Sequence, residues 1–111
     1  MAVIKDNDTF LVIERSDGRG LSFPGGLALP WESAEQAMAR EVKEETGLSI
    51  TKSRLILRYD SSVEIPVTLT AFEAEASGDL RGSWEGTPRW LHGSELQQRI
   101  LPSQRRIVDV L

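Results

Sequence analysis

The chain has no cysteine, one histidine and one tyrosine among its 111 residues. Without cysteine there is no disulfide framework and no thiolate chemistry, so neither bears on the redox compartment. His92 stands alone and is not taken as a site residue. No apolar run approaches the length that crosses a bilayer, and the N-terminal stretch MAVIKDNDTF lacks the apolar centre of a secretory signal. The expected location is therefore cytoplasmic, with no membrane partner. Basic residues number 13 against 17 acidic ones, for a net charge of −4, and they form no stripe. That balance argues against a nucleic-acid polymer as partner, but not against a single nucleotide. Repeats, low-complexity tracts and linker-like composition are also missing. What remains, 40% hydrophobic and 27% charged residues, is expected to fold as one domain over residues 1–111. Such a length buries roughly two thirds of its surface around one core.

What is present in abundance is local acid. Arg40-Glu41-Val42-Lys43-Glu44-Glu45-Thr46-Gly47-Leu48 puts three carboxylates at i, i+3 and i+4. On a helix these are neighbours on one face, and like charges so placed cost ~0.2–0.5 kcal/mol per pair. A helix is expected: Ser33 and Gln36 carry the spacing of a capping box, and residues 34–45 are good helix formers. Gly47 then falls where a left-handed residue ends a helix. At ~100° per residue, Glu41 and Glu45 project beside Ala34, Ala37 and Met38, with Glu44 at the edge of that arc. Gln36, Arg40 and Lys43 point elsewhere. A solvated acidic face is the ordinary interpretation of three such residues, but these share the apolar side without a cation. Carboxylates so placed raise one another's pKa and cost stability. A divalent ion with hard oxygen ligands, Mg²⁺ or Mn²⁺, removes the conflict, and Mg²⁺ commonly combines one or two carboxylates with waters and phosphate oxygens. The residues alone therefore point to metal-assisted phosphate chemistry.

The same stretch resembles the Nudix box: Gly26, five residues, Glu32, seven residues, then Arg40-Glu41-Val42-x-Glu44-Glu45-x-Gly47-Leu48. Every fixed place is filled. The resemblance implies an α/β protein with the Nudix fold, an α/β/α sandwich with a mixed central sheet, and a Mg²⁺-dependent hydrolase (Mn²⁺ as substitute). Its substrate would be a nucleoside diphosphate linked to another group. Glu44 and Glu45 are then the first choices for metal ligands, with Glu41 as ligand or proton acceptor and the Gly26 carbonyl turned to the metal. Replacing Glu44 or Glu45 by Gln is expected to cut turnover by orders of magnitude and spare the fold. Glu32 and Arg40 are expected to pair, holding loop against helix and aiming the acids. Glu85 falls in a loop where several Nudix enzymes place an additional acid. It is a candidate second-metal ligand or base, set against an ordinary solvated glutamate. Many members read Pro-Gly-Gly-x-x-Glu-x-Gly-Glu here. This chain departs from that pattern with Leu29 for the acid and Trp31 for the glycine, which alters the loop's shape or narrows the approach to the metal.

Along the chain, Ala2–Lys5, Thr9–Arg15, Leu21–Phe23, Ser53–Tyr59, Pro66–Ala74 and Arg89–His92 are expected to be extended. Asp6-Asn7-Asp8, Ser16–Gly20 and Ser77–Ser83 are expected as turns or loops. Ser94–Gln97 opens a brief helix. Pro102–Gln104 starts a final one, with Ile107, Val108 and Leu111 as its apolar stripe. Arg15, at a strand end, is a candidate phosphate ligand. Trp31, Trp84 and Trp90 could each stack on a base, with Trp31 preferred for its place in the box loop and Trp90 expected in the core. The compact chain favours a nucleoside-triphosphate pyrophosphatase. Two alternatives stay open: cleavage of ADP-ribose or a nucleotide sugar, and a Nudix-fold module that binds a nucleotide without cleaving it. The chain also looks short at its N-terminal edge for this family, which makes a homodimer a candidate assembly.

Overall fold

The computed structural model describes residues 1–111. Four strands come first: β1 (Ala2–Val3), β2 (Lys5–Asp6), β3 (Thr9–Arg15) and β4 (Leu21–Ser22). The helix α1 (Ala34–Thr46) follows, then β5 (Ser49–Ser61), β6 (Val67–Ser77) and β7 (Gly86–His92). The chain ends in two short helices, α2 (Leu96–Arg99) and α3 (Arg105–Val108), each entered through a 3₁₀ turn. No helix is long and apolar enough to cross a membrane.

The run from Ala2 to Asp6 ties the middle layer together by changing partners part way along. β1 pairs in parallel with β6, which pairs antiparallel with β5, giving a three-stranded mixed sheet. β2 instead turns back on β3 through Asn7 and Asp8. Asn7 adopts φ 53, a left-handed value that asparagine tolerates. β3 then carries β2 and β4 on one edge and all of β7 on the other, a four-stranded antiparallel sheet. The single extended run expected over residues 2–5 is thus two strands in two sheets.

Alternation along these strands sorts the core onto two faces. Ala2, Ile4, Leu11 and Phe72 meet Met38 and Val42 of α1. Val3, Val12 and Ala71 face the other way, toward Leu96, Ile100 and Ile107 of the C-terminal segment. Helices therefore cover both sides of the strand layer, as the α/β/α expectation requires. At about 1.5–3 kcal/mol for each fully buried large aliphatic side chain, these two faces hold α1 and the C-terminal turns in place.

Several boundaries differ from the sequence reading. β5 runs longer than expected because two register shifts, between Ile50 and Lys52 and between Leu55 and Leu57, break the alternation that marks a strand, and β6 extends to Ser77 because its last residue still pairs with Ser49. β7 begins at Gly86 rather than Arg89, since it pairs with β3 along its whole length. Pro88 is tolerated there because the far side of β7 is a free edge. Trp90, expected in the core, is 42% exposed: Leu91 takes the inward position and sends its neighbour outward. The final stripe shrinks as well, because α3 stops at Val108 and leaves Leu111 exposed.

Candidate active site

The site begins with how α1 is started and stopped. Ser33 Oγ accepts from Gln36 N at 3.1 Å, and Gln36 Oε1 accepts from Ser33 N at 2.9 Å, a reciprocal box that fixes the first turn. Gly47, at φ 79, donates its N–H to Lys43 O at 3.0 Å and ends the helix. Between these caps Glu41 and Glu45 face the loop that precedes the helix. Gly25 N donates to Glu45 Oε1 at 2.7 Å. A Cβ on Gly26 would sit 2.8 Å from Glu41 Cδ, so this residue is glycine to let the backbone pass the carboxylate.

A third acid arrives from far along the chain. The loop Ser83–Gly86 closes on itself through Ser83 N to Gly86 O at 3.1 Å. It is pinned to the end of β3 by Ser16 N donating to Glu85 O at 3.0 Å and Ser16 Oγ to Trp84 O at 2.9 Å. Gly86 cannot be replaced easily, since a Cβ there would lie 2.5 Å from Glu14 O. The result is that ligand atoms of Glu41, Glu45 and Glu85 all lie within 4.8 Å of one another.

Electrostatics at this cluster are unfavourable for the protein alone. Glu45 is only 6% exposed, and burial pushes its pKa up to about 8. Repulsion from Glu85 and Glu41 adds to that, and the Gly25 N–H opposes it. Burial likewise raises Glu41, against the pull of Arg40. The nearby guanidinium is already committed. Arg40 Nε and Nη2 grip Glu32 at 2.6 and 2.9 Å, and Nη1 is shared between Glu41 at 3.1 Å and Glu44 at 3.3 Å. Glu32 is held below the ordinary carboxylate range by that grip and by Leu29 N. The expected loop-to-helix pair is therefore in place. Three convergent carboxylates, all hard oxygen donors and offset only by Arg40 on Glu41 and the Met1 ammonium near Glu45, fit a divalent ion of the Mg²⁺ or Mn²⁺ kind.

Glu44 stands outside this trio, with its side chain 55% exposed and resting on Arg40. Arg15 lines the same cavity, about 380 Å³ in volume. Its Nε and Nη2 are held by Asp17, with Nη2 to Oδ2 at 2.6 Å, and this ion pair lowers Asp17 to a pKa of about 2. Trp31 is 78% exposed and does not line that cavity. Trp84 does, next to Glu85, while remaining 86% exposed overall. A second cavity of about 300 Å³ adjoins the first and shares Arg15, Gly25, Gly26 and Gln104 with it. Asp17 and Gln104 carry no sequence signal of their own. Trp84 could have been favoured over Trp31 from its position beside Glu85.

Fold and cluster together define an α/β/α protein with a cluster of three carboxylates where one helix meets a distant loop. The chain belongs to the NUDIX domain family, which it matches over residues 1–111. It is 33% identical over 112 residues to a "MutT-like protein" of Streptomyces ambofaciens, covering 98% of this chain and 72% of that one. It is 27% identical over 113 residues to a "Putative 8-oxo-dGTP diphosphatase" of Bacillus subtilis (strain 168), covering 96% and 73%. Among solved structures, the MutT NUDIX hydrolase from Burkholderia pseudomallei superposes with a TM-score of 0.87 at 22% identity, over 99% of this chain and 93% of that one. The fold is thus the Nudix fold, and the chain is a Nudix hydrolase, an enzyme of phosphoric anhydride bonds.

Proposed function

We propose that the chain is a divalent-metal-dependent pyrophosphohydrolase that cleaves a nucleoside triphosphate to the monophosphate and pyrophosphate. The observation that carries this reading is the meeting of Glu41 and Glu45 from α1 with Glu85 from a distant loop, at the wall of an open cavity. Acids that served only the fold would gain nothing by converging where they raise one another's pKa.

In this reading Glu41, Glu44, Glu45 and the Gly26 carbonyl hold Mg²⁺, and Mn²⁺ substitutes. Glu44 joins them by leaving Arg40, from which its exposed side chain is free to turn. When bound, the ion supplies positive charge against the phosphate oxygens and lowers the pKa of adjacent water. Glu85 closes the ring opposite α1 and serves as an additional ligand. Glu41, already raised by burial, accepts the proton of the attacking water. Arg15 binds a phosphate oxygen. Asp17 fixes its Nε and Nη2, and Nη1 has no protein partner. Arg40 is too fully engaged for that task and instead aims the acids. Trp84, on the cavity wall, offers its face to the base, with Trp31 as the second stacking candidate.

The triphosphate assignment draws on the relatives. The Bacillus subtilis relative is named for 8-oxo-dGTP, which makes an oxidised guanine deoxynucleotide the first substrate to test. The test is a panel of ordinary and oxidised nucleoside triphosphates, ADP-ribose and a nucleotide sugar, with and without Mg²⁺. Monophosphate and pyrophosphate are measured separately. Mg²⁺-dependent release of pyrophosphate, lost in Glu45→Gln, is the expected result. Turnover no faster than a protein-free control across the panel would sink the reading, and preferential cleavage of ADP-ribose would reassign the substrate.

A further inference from the structure

Gln104 is a buried polar side chain on the wall of the cavity, and neither the acid chemistry nor the strand ladders account for it. It is 3% exposed, and its Oε1 accepts from Phe23 N at 2.8 Å. Phe23 follows β4, whose ladder with β3 ends at Ser22, so no strand partner remains for that N–H. Pro24 and Gly25 come next. Pro24 O is fixed by Ala2 N at 2.7 Å, and Gly25, at φ 137, donates its own N–H to Glu45. One short stretch of backbone is thus held by Gln104 at one end and holds Glu45 at the other.

Gln104 is itself clamped. The preceding residue, Ser103, donates its N–H to Glu64 Oε2 at 3.0 Å and its hydroxyl to Glu64 Oε1. The Ser103 carbonyl accepts from Tyr59 O–H at 2.5 Å. Glu64 lies on the exposed turn between β5 and β6, and the same turn lines the second cavity through Glu64 and Ile65. All three polar groups of Ser103 are therefore fixed by the β5–β6 hairpin.

We propose that Gln104 is a positioning residue for the acidic cluster, clamped through Ser103 by Glu64 and Tyr59 and setting the Phe23–Gly25 backbone that aims Glu45. The physical reason is the cost of the alternative. An apolar residue at 104 leaves the buried Phe23 N–H unpaired, a penalty relieved only by moving the loop toward water. With Pro24 restricting the backbone, that movement reaches Gly25 and the carboxylate it holds. Partners of this kind, one step behind a metal ligand, are commonly worth 10–100-fold in affinity or activity.

The inference rests on the proposed function only in taking the cluster to bind a divalent ion. Its test uses Gln104→Leu, Glu64→Ala and Glu64→Gln in the full chain. Three quantities are read: hydrogen exchange of the Gly25 amide in metal-free protein, the Kd for Mn²⁺ alone, and kcat and KM on the best substrate of the panel. Gln104→Leu is expected to speed Gly25 exchange and weaken Mn²⁺ about tenfold, lowering kcat about tenfold while KM moves less than about threefold. Glu64→Ala shifts the same readouts in the same direction by less, and Glu64→Gln, which keeps an acceptor for Ser103, returns most of the loss. A folded Gln104→Leu with wild-type Gly25 exchange and Mn²⁺ affinity overturns the proposal. So does a rise in KM alone, which would make Gln104 a substrate contact. Should Gln104→Leu fail to fold, Glu64→Ala decides, and unchanged Mn²⁺ affinity there overturns it. If the wild-type chain binds no Mn²⁺, the proposed function fails first, and Gly25 exchange in the variants still decides whether the relay exists.

Discussion

Glu45→Gln in the metal-free protein isolates the electrostatic cost that the site carries. Glutamine keeps the size of the side chain and an oxygen to accept from Gly25 N, but it cannot ionise. In the wild type the folded pKa is about 8 against 4.5 for an ordinary glutamate. Below the lower value the carboxyl is neutral in both states, and its full contribution to stability is present. Above it the unfolded chain releases the proton while the fold retains it, so stability falls until pH passes the folded value. The slope of that loss is at most about 1.4 kcal/mol per pH unit, or roughly 5 kcal/mol over the whole interval as an upper bound. The stability of Glu45→Gln relative to wild type should therefore climb by on the order of 3 kcal/mol from pH 5 to pH 8, roughly 10 °C in Tm for a chain of this size. Urea or thermal unfolding in chelator at both pH values measures it, and any constant penalty of the amide cancels in the difference. Saturating Mg²⁺ should then narrow the mutant's advantage, since the wild type gains more from binding. An equal mutant-to-wild-type difference at pH 5 and pH 8 would refute the reasoning, because Glu45 would then be ionised throughout with its charge compensated by the protein.

Gly26→Ala should leave Tm within a few degrees of wild type, because the Cβ meets the flexible end of Glu41 rather than backbone. Turnover should nonetheless fall at least about tenfold as that carboxylate is displaced, read as kcat at saturating Mg²⁺. Glu85→Gln and Glu44→Gln should each weaken Mn²⁺ binding about tenfold or more in a direct titration. Wild-type affinity in Glu44→Gln would remove that residue from the ligand set and leave it as a partner of Arg40.

What could be read from the sequence follows the range of the interactions that build each part. The helix, both caps, the Glu32–Arg40 grip and the inward turn of Glu41 and Glu45 depend on spacings of a few residues, so periodicity and local chemistry reveal them. Glu85 was visible only as a candidate, because its place beside α1 depends on β7 registering along all of β3 and on Ser16 pinning the loop. The tryptophans show the same limit from the other side. Trp31 belongs to the box by sequence yet lines neither cavity, and Trp84, which looks like an arbitrary loop residue, is carried to the cavity wall by its neighbour. The partner change between β1 and β2 left no mark, since a pleated run looks the same whichever sheet it joins.

Most of the acid site thus rests on one helix, and the remainder is delivered by long-range pairing. That division has a physical consequence. α1 contributes charges that repel one another, and Arg40 of the same helix bridges only Glu41 and Glu44. The site must therefore be held closed from outside the helix, by the Ser16-pinned loop on one side and the Gly25 backbone on the other. Each of those supports ends in a hydrogen bond from main-chain N–H, a group that does not titrate and cannot rotate away. With the Gly25 N–H on Glu45, Arg40 on Glu41 and the Ser16-pinned loop behind Glu85, these three acids are placed before any cation arrives, so in the proposed reading only Glu44 has to reorient when an ion binds.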